Sequence, residues 1–297
     1  MHESVTPIEQ FEWIDRDLAV SFPPRFTHPH KTRLFAMSRF DEKLTSRPVA
    51  YARWPMATLP DRVPSDEDRP EFVPVAGHFD YQPRGTSTRA VDVWTMNFAD
   101  PHLFVAYAGS LMAQDELQVA EIPLLACIPE AVRAETGQLP TTASTAGPTP
   151  VTIRGVDRLL HIHTEPTDLN PAGLYGNRFA AAPWKSVEPA IEVLNPPQPA
   201  NILAMAAPAC GYGEYEPEEI EHILQTAYTG FTAAKAMTRQ HNTDTECEIH
   251  AGFWGCGAFG GNRELMARLQ ILAAWLAEVG RLCFFGFDER DEDRFED

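Results

Sequence analysis

Apolar residues recur at helical spacing in two long stretches of this chain and at strand spacing in the segments between them. From Glu218 to Thr238, Ile220, Ile223, Leu224, Ala227, Phe231 and Ala234 fall on one face, which predicts an amphipathic helix. A second helix is predicted past Asn262, a side-chain cap, with Leu265, Leu269, Leu272, Leu276 and Val279 as its buried seam and Gly280 closing it. Asn201–Ala207 and Leu282–Phe287 read as buried strands, and Glu246–Ala251 as a short one. Further strand signals lie at Gly77–Tyr81, Ala90–Asn97, Leu159–His163 and Ile191–Leu194, and the apolar run Leu117–Ile128 continues the series. Strands alternating with helices in the C-terminal half predict a layered α/β sandwich.

The pattern divides the chain into three parts. Residues 1–75 are rich in proline and aromatics, with Phe22-Pro-Pro-Arg-Phe26 and Phe72-Val-Pro-Val75, and read as an N-terminal helical and irregular accessory segment that packs on the rest. Residues 76–287 form the main domain, with Pro140–Pro150 as an exposed loop. Residues 288–297 are an acidic tail of net charge −5, most simply solvated, which leaves −13 of the total −18 on the remainder. Such a surface repels nucleic acid and acidic membrane, so neither is expected as a partner. No apolar run reaches the roughly 18 residues that a membrane span needs, and no signal peptide opens the chain. Five scattered cysteines (127, 210, 247, 256 and 283) fit a reducing cytoplasm and show no metal-binding spacing. The expectation is a cytoplasmic protein that needs no cofactor and holds no metal.

Chemistry concentrates in the glycine-rich stretch between the last two predicted strands. It runs Gly252-Phe-Trp-Gly-Cys-Gly-Ala-Phe-Gly-Gly261 and leads into the second long helix. A strand, a glycine loop and a helix in that order aim backbone N–H groups and a helix N-terminus at an anion. The spacing matches neither the nucleotide-kinase loop nor the dinucleotide fingerprint. Phosphate binding and a glycine-rich turn whose aromatics pack the core are both open on the pattern alone.

Trp254-Gly-Cys-Gly-Ala-Phe-Gly-Gly261, followed by a helix containing Leu269-Gln-Ile-Leu-Ala-Ala274, resembles the signature of the poly(ADP-ribose) glycohydrolase family, which is related to macrodomains. The resemblance implies a macrodomain-like three-layer sandwich with a mixed sheet and an N-terminal helical accessory segment. It also implies ADP-ribose as the ligand. Trp254, Gly255, Cys256, Gly257, Ala258, Phe259, Gly260 and Gly261 would wrap the diphosphate, with Phe259 against the distal ribose, and Asn97 or Asp100 would contact a ribose hydroxyl.

The same family carries Asp-Phe-Ala-Asn, a triple glycine and a Gln-Glu-Glu triplet. Here Asn97-Phe-Ala-Asp100 reverses the first motif, Tyr107-Ala-Gly109 replaces the second, and Val119-Ala-Glu121 stands where the triplet is expected. Glu121 then matches the second, principal catalytic glutamate, and Ala120 replaces the first. Asp115 and Glu116 lie about a turn upstream and are candidates to compensate. Cleavage at ribose C1 passes through an oxocarbenium-like state, in which one carboxylic acid assists the leaving group and another carboxylate activates water. The altered motif resembles a divergent bacterial branch that removes single ADP-ribose units from arginine, notably on ubiquitin. The expected function is hydrolysis of the ribosyl bond of a mono-ADP-ribosylated protein. A non-catalytic ADP-ribose reader and a true poly(ADP-ribose) glycohydrolase are the alternatives. His161-Ile-His163 suggests metal, but the sequence offers no third ligand and a structural pair is the simpler reading. Arg178 sits in a turn from which it could reach a phosphate or a substrate carboxylate.

Overall fold

Eight strands share one mixed sheet, in the computed structural model that describes residues 6–84, 89–207 and 214–287. The strands are β1 (Glu9–Ile14), β2 (Pro48–Arg53), β3 (Glu71–Ala76), β4 (Val91–Ala99), β5 (Val151–Ile162), β6 (Ile191–Ala206), β7 (Glu246–Ala251) and β8 (Arg281–Phe287). Their spatial order is β1-β2-β5-β6-β4-β7-β8-β3. The first four neighbours pair antiparallel, and β6-β4-β7-β8-β3 run parallel. The main helices are α1 (Asp15–Ser21), α2 (Pro29–Ser38), α3 (Gln114–Glu121), α4 (Ile128–Thr136), α5 (Pro217–His241) and α6 (Arg263–Leu276).

The sheet is covered on both faces, which makes the three layers. Along β6, Leu203 and Met205 face α5 and α6 together with Trp94, Ile249, Phe231 and Phe284. Ile202 and Ala204 face the opposite layer of α1, α3 and α4, with Tyr51, Ile153, Val119 and Ile122. A strand buried on both sides gains apolar contacts at every residue, so Ile202–Ala206 is uniformly apolar rather than alternating. Three tryptophans sit fully inside with their indole N–H groups satisfied: Trp54 donates to Thr152 (2.8 Å), Trp94 to Thr238 (2.8 Å) and Trp254 to the Met205 carbonyl (3.0 Å).

Several local expectations are corrected. The segment 1–75 carries α1 and α2 as expected, but it also contributes β1, β2 and β3 to the central sheet. Phe72-Val-Pro-Val75 is an edge strand, where a proline costs no ladder bond. The run Leu117–Ile128 is α3 followed by a 3₁₀ turn at Pro123–Cys127, not a strand. Uniform burial gave it a strand-like apolar run. Gly77–Tyr81 follows β3 and is irregular. The two short strands read at Leu159–His163 and Ile191–Leu194 are parts of the long hairpin pair β5 and β6, and Gly155, at φ +83°, lets β5 pass within reach of the Pro48 carbonyl. The helix past Asn262 stops at Leu276, and Glu278, not Gly280, takes the left-handed conformation (φ 50°). A Cβ on Gly280 would lie 2.8 Å from the Glu246 carboxylate. Cys210, the loop with Gly211 and Gly213, and the acidic tail lie outside the described residues. No helix among the described residues is long and apolar enough to cross a membrane.

Candidate active site

A cleft of about 420 Å³ opens at the carboxyl ends of the parallel strands β4, β7 and β8. Open α/β sheets place ligands there, because the loops leaving the strands diverge and leave backbone groups accessible. One wall is the loop after β7, with Gly252, Phe253, Cys256 and Gly257, together with Arg263 at the start of α6. The opposite wall is one face of α3, where Gln114, Leu117, Gln118 and Glu121 recur at helical spacing. Phe79, Phe98, Phe285, Tyr81 and Tyr175 make the rest of the lining largely aromatic.

The glycine loop folds back on itself. The Gly261 amide donates to the Gly255 carbonyl (2.9 Å) and the Gly260 amide to the Gly257 carbonyl (3.0 Å). Gly255 has φ +74°, and a Cβ there would stand 2.8 Å from the Ala207 methyl. A Cβ on Gly261 would stand 2.8 Å from the Gly255 carbonyl oxygen. Those two glycines are required by the fold itself. Gly257 differs: it is exposed, and an added Cβ meets nothing within 4 Å. Asn262 caps α6 as expected, accepting from the Leu265 amide (3.0 Å). Arg263 lies over the Phe253 ring, 3.4 Å from its centroid, and brings a positive charge to the loop wall.

The residues singled out from sequence divide between the cleft and its supports. Cys256 and Gly257 line the cleft, Ala258 is exposed beside it, and Phe259 is half-buried against the core. Trp254, expected to offer a flat face to the ligand, is fully buried and pins the loop to β6 through Met205. Burial pushes the Cys256 thiol up to about 11, which keeps it a thiol at neutral pH. Arg178 donates to the Ala172 carbonyl (2.8 Å) and lies outside the cleft lining.

Glu121 lines the cleft but is only 4% exposed. The Arg158 guanidinium grips it in a fork, Nε to Oε2 and Nη2 to Oε1, both at 2.8 Å, and the Ile162 amide also donates to Oε1 (2.7 Å). Burial pushes the Glu121 carboxyl above its ordinary range, and Arg158 and the Ile162 amide oppose that push. Arg158 in turn lies over the Tyr81 ring at 4.8 Å, and Tyr81 accepts from Gln118 (3.1 Å). Sequence reading missed Arg158 and Tyr81, because no local pattern joins residues 37 or more positions apart.

Asp115 and Glu116 do not line the cleft; they open α3 from behind its exposed face. Asn97, expected at a ribose hydroxyl, is fully buried and donates from Nδ2 to Asp115 (3.0 Å), while Asp100 is half-buried at the end of β4. Burial pushes Asp115 up to about 7 against the Asn97 hydrogen bond; Glu116 and Asp100 add to the rise and Lys31 opposes it. Glu116 is also raised by burial, and its carboxylate accepts from the Ala113 amide (3.1 Å), closing the first turn of α3. Lys31, from α2, is fully buried and donates to the Tyr107 carbonyl (2.7 Å). Burial lowers Lys31 to about 8 although Glu116 and Asp115 favour its charge.

Gln114 ties this helix start to the sheet, accepting from the Phe98 amide (2.7 Å) and donating to the Met96 carbonyl (3.0 Å), while Tyr175 accepts from the Gln114 amide (3.1 Å). The first turn of α3 holds Gln114, Asp115 and Glu116, and the two acids are buried. Val119-Ala120-Glu121 occupies its buried C-terminal end.

Residues 187–294, which hold β6, α5, β7, the glycine loop, α6 and β8, match the model of the family described as poly(ADP-ribose) glycohydrolase (PARG), macro domain fold. The fold is thus the mixed α/β sandwich of the macrodomain type, and the family named by the match is one of enzymes. Among solved structures, the chain is similar to the poly(ADP-ribose) glycohydrolase of Thermomonospora curvata at 15% identity, covering 94% of this chain and 95% of that one, with a TM-score of 0.48. It is also similar to the glycohydrolase of Deinococcus radiodurans in complex with ADP-ribose, at 16% identity over 92% and 91% of the two chains and a TM-score of 0.44.

Two outcomes test the electrostatics of α3. Glu121→Gln breaks a buried bidentate pair and leaves Arg158 without its counter-charge. It should lower stability in urea unfolding by on the order of 3 kcal/mol, whereas a change below about 0.5 kcal/mol would mean the pair is not held as drawn. For Asp115 the folded-state pKa lies above the ordinary 3.8, so the native state retains a proton that the unfolded chain gives up. Its contribution is complete below about pH 4 and is lost as pH rises through about 7. Asp115→Asn mimics the protonated group, so its Tm relative to wild type should be higher at pH 8 than at pH 5. An equal difference at both pH values would refute the raised pKa.

Proposed function

We propose that this chain binds ADP-ribose in the cleft and hydrolyses the glycosidic bond at its distal ribose. The observation that carries the reading is the joint placement of two walls. The loop and helix inside the family match form one, and the carboxylate-bearing helix α3 forms the other. The diphosphate lies along Gly255–Gly261 at the N-terminus of α6, where the helix dipole and Arg263 favour negative charge. The aromatic lining takes the adenosine and ribose faces.

The bond broken is an O-glycosidic ribose linkage of the kind the family name describes. Asp115, with its carboxyl raised to about 7, is suited to lend a proton to the leaving oxygen, and Glu116 beside it to activate water. Both groups need the α3 N-terminus to open toward the ligand, and Asn97 and Lys31 set their charges from behind. Glu121 takes a different role from the one its register suggests. Held by Arg158 and Ile162, it acts as a fixed wall rather than as a proton carrier.

A second reading keeps arginine-linked ADP-ribose, on a protein such as ubiquitin, as the substrate. The net charge of −18 favours it, since a long polyanion is repelled while a single unit on a basic protein is not. Against it, the one carboxylate that lines the cleft among the described residues, Glu121, already accepts from the Arg158 guanidinium. Release of ADP-ribose from polymer at a rate well above release from ADP-ribosyl-arginine selects the first reading, and the reverse order selects the second.

Glu116→Gln should lower turnover at least about 10²-fold with free ADP-ribose affinity little changed. Gly257→Val should leave the melting temperature unchanged, because its Cβ has open space, yet weaken ADP-ribose binding in calorimetry by crowding the diphosphate. Full turnover in the first variant removes the carboxylate from the mechanism, and wild-type affinity in the second removes the loop from the site. ADP-ribose binding with no release from either substrate would make the protein a reader.

A further inference from the structure

At the rim of the cleft, β5 and β6 bring Glu192 beside His161 and His163, about thirty positions away in sequence. The antiparallel register sets His161 opposite Glu192, and His163, just past the end of β5, is held by its amide donating to the Ala190 carbonyl (2.8 Å). The two imidazoles therefore share one face, with ring centroids 4.2 Å apart. Glu192 Oε2 lies 3.8 Å from His161 Nδ1 and 3.9 Å from His163 Nε2. One donor atom from each of the three residues falls within 4.8 Å of the others. Four donors around a zinc ion at about 2.0–2.1 Å stand about 3.4 Å from one another. The observed separations need only small side-chain rotations to reach that spacing, on a backbone that two paired strands hold fixed.

We propose that His161, His163 and Glu192 bind a divalent transition-metal ion of the zinc class. Two imidazoles and one carboxylate are the donors such ions prefer, whereas magnesium and calcium take oxygen ligands. The three side chains are part-exposed, so an ion can enter from solvent and keep coordination positions open. His161 also lines the cleft, so those positions face the rim of the ligand site. A second group, Glu248, His250 and Cys283, has comparable donors but is fully buried, and its carboxylate is already engaged by His250, the Arg84 amide and Arg281. It offers an ion no access from solvent.

The test is calorimetric titration of the full chain with zinc chloride, in wild type and in His163→Ala and Glu192→Gln. Each variant is checked for wild-type melting, and magnesium chloride serves as the comparison. The expected result is one saturable equivalent of Zn²⁺, no comparable binding of Mg²⁺, and at least a tenfold loss of Zn²⁺ affinity in each variant. Absence of saturable Zn²⁺ binding in wild type overturns the proposal. Retention of full affinity in His163→Ala overturns it too, by placing the ion elsewhere. The readout is binding and not turnover, so its failure leaves the glycohydrolase reading untouched.

Discussion

A loop that must reverse direction while touching a buried strand has room for backbone alone at two points, and the cleft depends on that constraint. Gly255 lies against Ala207 at the end of β6, and Gly261 lies against the Gly255 carbonyl. With those two approaches made, Trp254 can bury its ring and hydrogen-bond Met205, and Asn262 can cap α6 directly after the turn. The loop then holds Cys256 and Gly257 outward as one wall of a cavity. Filling either contact with a side chain would move the whole wall, because close-packed interiors transmit displacement rather than absorb it.

The facing wall is organised by charge. Helix α3 puts its acidic residues on different faces, and each face has its own electrostatic setting. Glu121 is balanced by Arg158 and an amide, whereas Asp115 has an asparagine and a buried lysine nearby but no direct ion pair among the described residues. Pairing opposes desolvation at one carboxylate, while desolvation pushes the other up to about 7. Residues of one chemical type on one helix thus acquire different capacities from what surrounds them.

The antiparallel half of the sheet contributes as much to the site as the parallel half. Strand β5 supplies Arg158 to α3 and His161 to the cleft rim, and β6 reaches from the imidazole pair at one end to the glycine loop at the other. The N-terminal segment extends this half through β1 and β2, while β3 closes the opposite edge beside β8. Lys31 shows the same integration, since it comes from α2 and still sets the charge environment of α3.

The glycine loop, its capping asparagine, the two long helices and the buried strands around them were legible in the sequence. Each depends on neighbours within a few turns of chain: glycine spacing, apolar periodicity and a cap next to its helix. Loop conformation and helix faces follow from such local rules. What required the tertiary structure was every assignment that depends on distant partners. Leu117–Ile128 reads as strand-like because burial on all sides removes periodicity, and only packing against the sheet makes it a helix and turn. The pairing of Glu121 is invisible until Arg158 is found on it, Trp254 reads as a ligand platform until its burial is seen, and His161 and His163 as a pair lacking a third partner until β6 places Glu192 beside them. In each case the deciding quantity is a desolvation or a distance set by residues tens of positions away, and local chemistry carries no record of it.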